Sequence, residues 1–141
     1  MKHNSSGITI LLLLLILLSG CSIQSAQSVE QSPQVIAANE LAAMSRLRSI
    51  DSAEANFMVE SGGTYASLDE LVNKGMIGDP SRGKLTGYRF EVRGKPGGYE
   101  ATAVPVQYGI SGKRSFYIDE THVLRGGERG GAKATSLDPE V

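Results

Sequence analysis

Tryptophan is absent from the 141 residues, cysteine occurs once and histidine twice. One cysteine cannot close an intrachain disulfide, so an oxidising compartment has nothing with which to staple this fold. With no tryptophan and only 6% aromatic residues, stability has to come from one modest core. Neither sign of charge dominates: 14 basic residues face 15 acidic ones, for a net charge of -1. That balance argues against nucleic acid, which wants a basic face, and it supplies no polybasic cluster for anionic lipid. Long apolar runs are also missing, with one exception at the amino end. Residues 8–18, Ile-Thr-Ile-Leu-Leu-Leu-Leu-Leu-Ile-Leu-Leu, are nearly all apolar. They are too few for a spanning helix, which needs roughly 20.

What is present around that run is ordered. Lys2 and His3 provide a short positive head, the apolar stretch has the length of a signal core, and Ser19 and Gly20 are small. The sole cysteine, Cys21, follows at once. Leu18-Ser19-Gly20-Cys21 resembles the lipobox of bacterial lipoproteins. The resemblance implies a signal peptide over 1–20, cleavage between Gly20 and Cys21, and a Cys21 thiol carrying diacylglycerol through a thioether. The new amino terminus would be acylated as well, for example with palmitate. Each buried methylene adds about 0.8 kcal/mol of membrane affinity, so two or three chains hold far better than one. Ser22 stands where aspartate serves as an inner-membrane retention signal, so the resemblance implies outer-membrane sorting in a cell with two membranes. Discarding residues 1–20 removes one basic residue, Lys2, and no acidic one, which moves the net charge from -1 to -2.

Residues 22–32 are polar and aperiodic and read, with Cys21, as a flexible tether. Fully extended they reach about 37 Å, with a typical span nearer 18 Å. Ser32-Pro33 is a helix start, with a capping serine and proline at the first position. Ala43, Leu47, Ile50 and Phe57 recur at helical steps, with Ala53 or Glu54 in the gap before Phe57. This predicts a long helix to about Glu60, stopped by Ser61-Gly62-Gly63. Ser67-Leu68-Asp69-Glu70 is a capping box for a short second helix with Gly75 as its stop, and Gly78-Asp79-Pro80 is a turn.

After Gly87 the period becomes two. Tyr88, Phe90 and Val92 alternate with charged residues, and Tyr99, Ala101 and Ala103 alternate with Glu100, Thr102 and Val104. Gly94–Gly98 and Gly109–Gly112 are loops, and Pro105 marks a strand end or edge. Residues 115–118 and 122–124 predict two further strands around a turn at 119–121. The class is therefore α+β: a long helix and a short one packed on a four-stranded antiparallel meander over residues 33–125. Residues 126–141, glycine-rich and polar, read as a disordered tail.

That order, with Gly87-Tyr88-Arg89-Phe90, Ala103-Val104-Pro105-Val106, Gly112–Glu120 and Val123-Leu124-Arg125, resembles the type IV pilin-like domain of the type II secretion major pseudopilin. Asn39-Glu40 and Leu47-Arg48-Ser49-Ile50 fit its helix. The similarity covers about residues 37–125. It implies an assembly role by protein contact. Pilins keep their long apolar helix, with a glutamate near its start; here a lipobox stands in its place, which argues against ordinary polymerisation through that helix.

Candidate chemistry is thin. His122 is the sole histidine after residue 20 and has no evident sequence partner. Asp119 and Glu120 are weak metal candidates, since calcium wants six to eight oxygens and only two acids cluster here. Lys113 and Arg114 read as guards of an exposed strand edge and as possible partner contacts. No serine has a recognisable histidine–acid partner. The sequence therefore predicts a non-catalytic envelope lipoprotein that uses no cofactor, is held in the bilayer through Cys21 and binds an envelope protein. A calcium- or small-molecule sensor, or an enzyme with an unusual site, are the alternatives.

Overall fold

A computed structural model describes residues 32–79 and 87–141. The expected signal segment, Cys21, the expected tether as far as residue 31, and Pro80 of the expected turn lie outside the described residues.

The long helix, α1, runs Pro33–Ser61. Proline opens it at the first turn, where its missing N–H would have had no partner. The expected serine cap is not made: Ser32 occupies the cap position without a side-chain hydrogen bond. Gly62, left-handed at φ 77°, ends the helix and donates its N–H to Met58 O. The buried residues of α1 are Ala43, Leu47, Ile50, Ala53, Glu54 and Phe57, the stripe that the sequence spacing predicts.

The short helix α2, Leu68–Asn73, carries the full capping box. Ser67 Oγ accepts from Glu70 N–H, and the Glu70 carboxylate accepts from Ser67 N–H. Its end is a Schellman turn, in which Met76 N–H bonds Leu71 O and Gly75 N–H bonds Val72 O.

The strands are β1 (Tyr88–Lys95), β2 (Gly98–Pro105), β3 (Arg114–Asp119) and β4 (Arg125–Glu128), antiparallel in the order β1-β2-β3-β4. One face of this sheet buries Tyr88, Phe90, Val92, Tyr99, Ala101, Ala103, Phe116 and Ile118 against Ala43, Leu47, Ile50 and Phe57 of α1. The helix lies over β2 and β3, and α2 closes the side next to β1. Tyr65 stacks on Tyr99, and Tyr88 on Phe116, at centroid separations of 5.5 and 6.0 Å.

Two expectations are corrected here. The fourth strand begins at Arg125 rather than at His122. Asp119 folds the intervening turn onto itself: Oδ1 accepts from Thr121 N–H and Oγ1–H, and Asp119 O accepts from His122 N–H. His122 leaves that turn at φ 62°, so pairing can resume only later.

Residues 126–141 are also not a loose tail, and the compact unit continues to Val141. Gly126 and Gly127 belong to β4. A Cβ on Gly126 would lie 2.6 Å from Phe116 Cδ1 and 2.9 Å from Ser115 O, so glycine serves close packing at this position. The chain then folds back along the outer edge of β4, where Gly126 N–H bonds Pro139 O and Val141 N–H bonds Leu124 O. Asp138, 3% exposed, pins the return by accepting from Thr135 N–H at 2.7 Å and Arg129 Nε at 2.7 Å. Lys133 pairs with Glu91 at 2.5 Å, and Ala134 is buried.

Candidate functional site

α1 brings two acids to the sheet one turn apart. Asp51 Oδ1 accepts from the hydroxyl of Tyr99 at 2.5 Å and lies 2.6 Å from His122 Nδ1. Three elements therefore converge on one carboxylate oxygen: the helix, β2 and the turn after β3. Tyr99 is fully buried and His122 is exposed. Burial, reinforced by the Asp51 hydrogen bond and charge, pushes the Tyr99 hydroxyl far above its ordinary range, so it serves only as a donor.

Glu54 is fully buried. Its Oε2 accepts from Ala66 N–H at 2.9 Å, whereas Oε1 has no partner. Burial raises its pKa above the usual glutamate value. The Ala66 bond opposes that rise, and the Glu70 charge adds to it. The carboxyl fixes the loop between the helices to α1, and it holds its proton more tightly than an exposed glutamate would.

An aspartate on the Nδ1 of an exposed histidine is half of a general-base arrangement. The other half is a hydroxyl or thiol within reach of the ring. Among the described residues no such side chain is hydrogen-bonded to His122. The geometry instead makes a clasp, with Asp51 tying the turn at residues 119–122 and the ring of Tyr99 to the helix. His122 thus has a partner 71 residues away, to which no motif or spacing in the sequence relates it.

The acidic pair is used locally. Asp119 Oδ2 accepts from the Tyr117 hydroxyl at 2.9 Å, and Oδ1 is taken by Thr121. Burial pushes the Asp119 pKa up, but these three donors outweigh it and hold the carboxyl below its ordinary value. Glu120 Oε2 accepts from Tyr99 N–H and lies 3.5 Å from Lys95 Nζ. Among the described residues no group of three or more His, Cys, Asp or Glu is placed to hold a metal ion.

Lys113 and Arg114 do not guard a sheet edge. The edge strands are β1 and β4, and both backbone N–H groups of this pair donate to Glu40 Oε1, at 3.0 and 3.2 Å. Glu40 thereby fastens the start of β3 to α1, about 16 Å along the helix from Asp51. The Arg114 guanidinium lies over the Phe116 ring, which leaves Lys113 as the exposed cation of the two.

On the outer face of the sheet a cavity of about 230 Å³ is lined by Glu91, Arg93, Glu100, Thr102, Tyr117 and residues 133–136. Its acids are already engaged, Glu91 by Lys133 and Glu100 by Lys95. Among the described residues no helix is long and apolar enough to cross a membrane. Comparison with models of protein families, with curated proteins and with solved structures gives no match.

Proposed function

We propose that the protein is a non-catalytic envelope lipoprotein, anchored through acyl chains on Cys21, whose α+β head makes protein contacts. The observation that carries the anchor is the sequence Leu18-Ser19-Gly20-Cys21 behind a short apolar run, in a chain with no other cysteine. A long helix laid over a four-stranded antiparallel meander is the architecture that the pilin-like resemblance implies, which favours an assembly partner, for instance a secretion or pilus apparatus. The Asp51–Tyr99–His122 cluster supports a binding role over a catalytic one, because its hydrogen bonds are spent in holding the helix to the sheet. The contact surface fits β1, an edge strand of the sheet, better than Lys113 and Arg114, whose backbone N–H groups are taken by Glu40.

The test is metabolic labelling with an alkyne-bearing fatty acid. The wild type takes up label and is processed, and Cys21→Ala does neither; equal labelling and membrane retention of the two rejects the anchor. Crosslinking in cells from residues on β1 tests the partner. Absence of any adduct from β1, together with turnover lost on His122→Ala, would mean that an enzyme should be sought.

A further inference from the structure

The end of the head at which the tether arrives is built from two uncharged stretches. Residues 32–39, Ser-Pro-Gln-Val-Ile-Ala-Ala-Asn, and residues 104–112, Val-Pro-Val-Gln-Tyr-Gly-Ile-Ser-Gly, contain no charged side chain. In a chain that is 21% charged, about three or four would be expected among these 17 residues. The fold places the two stretches together. Asn39 Nδ2 donates to Ser111 O at 3.0 Å, Gln107 N–H donates to Ser111 Oγ at 2.9 Å, and Val106 N–H donates to Gly87 O at 2.8 Å. A Cβ on Gly87 would contact both Asn39 and Ser111, so the start of β1 closes the same corner. Val35 lies one helical turn before Asn39, on the same side of α1.

Apolar groups are left outside at this corner, with Val106 68% exposed and Val35 and Tyr108 each 42% exposed. Among the described residues, charged side chains stand at its rim: Glu40, Lys113, Arg114, and Glu128, which accepts from the Tyr108 hydroxyl.

We propose that this uncharged end rests on the bilayer surface, with Val35 and Val106 entering the boundary between headgroups and acyl chains. The inference rests on the lipid-anchor reading. Residues 22–32 cannot carry Ser32 more than about 37 Å from Cys21, so the corner that includes Ser32 is the part of the head held nearest the membrane. A flexible tether of that length gives a high effective concentration. A few exposed apolar side chains, too weak to bind lipid from solution, then suffice to orient an anchored head. The two stretches carry no charged side chain, so the occupant they fit is zwitterionic lipid.

Tryptophan occurs nowhere in the chain, so one introduced tryptophan is a unique reporter. Chain 21–141 carrying Val106→Trp, Val35→Trp or Val59→Trp is coupled through the Cys21 thiol to a maleimide phospholipid in phosphatidylcholine vesicles. This coupling does not depend on whether a cell acylates Cys21, so fatty-acid labelling can reject the natural anchor without touching this result. Val59 is exposed near the other end of α1, about 36 Å from Val35. Brominated acyl chains are expected to quench about half of the emission of Val106→Trp and Val35→Trp, with a blue shift, if the side chains sit at the 5–10 Å depth of interfacial insertion. Val59→Trp should stay unquenched. Equal quenching at all three positions, or none at 35 and 106, overturns the proposal. So does a blue shift that appears without lipid as protein concentration rises, which would assign the patch to a second copy of the chain.

Discussion

The two parts of α1 obey different rules. From Ala43 to Phe57 the helix buries a residue at every third or fourth step, and those residues form one side of the core. From Pro33 to Ala42 the same helix has no fully buried residue, and its side-chain hydrogen bonds to the sheet end come from Asn39 and Glu40. A helix stabilised by packing needs its apolar face covered. The second part meets that need within the domain. The first is held by continuity with the second and by two polar side chains, which leaves its apolar residues available to something outside the fold.

The largest effect that sharpens this contrast comes from Leu47, which is fully buried against the sheet. Leu47→Ala should cost about 2–5 kcal/mol in urea denaturation. A loss below about 0.5 kcal/mol, the scale of an ordinary surface substitution, would mean that the stripe does not hold the fold. Next comes the returning carboxyl end. Gly126→Ala forces a methyl group onto Phe116 and should destabilise by about 1–3 kcal/mol, which a mobile segment would not register. Asp51→Ala removes the acceptor shared by Tyr99 and His122 and leaves a buried hydroxyl without its partner, a cost of about 1–3 kcal/mol. His122→Ala, on the exposed side of the same clasp, should cost less than Asp51→Ala; the reverse order would place the main restraint on the turn.

The smallest effect is one of pH. The pKa of Glu54 is raised in the fold, so the native state binds this proton more tightly than the unfolded chain does. The buried charge therefore penalises the wild type at neutral pH. The penalty fades as pH falls through the native pKa toward the unfolded value of about 4.3. Glu54→Gln has no such dependence. Between pH 8 and pH 5 the wild type should gain stability relative to the variant; a constant difference would show that the carboxyl titrates as if exposed.

Much of this fold was legible because its signals are local. The steps Leu47, Ile50, Phe57 and the alternation Tyr88, Phe90, Val92 each report which face is buried within one element. The Ser67–Glu70 box and the Gly75 stop are chemistry within a single turn. What escaped depends on distant partners. Gly126 looks flexible until Phe116, ten residues away, is seen to occupy the space of a side chain, and Gly127 until Asp138 is found against it. Lys113 and Arg114 look like edge guards until Glu40, more than 70 residues away, is found accepting their N–H groups. His122 and Asp51 carry no spacing that relates them. Glu54 did leave a trace, a carboxylate inside an apolar stripe, which is the pattern of a buried polar tie.

The first part of α1 is a surface and the second is core, and amide hydrogen exchange along this one helix separates the two. In chain 21–141 free in solution, amides from Ala43 to Phe57 should exchange only at the rate of global unfolding, and those from Val35 to Ala42 much faster. Coupling Cys21 to vesicles should then slow the first group and leave the second unchanged. Equal protection along the whole helix in solution, or no change in the first group on vesicles, would show that the first part of α1 is not a surface that meets lipid.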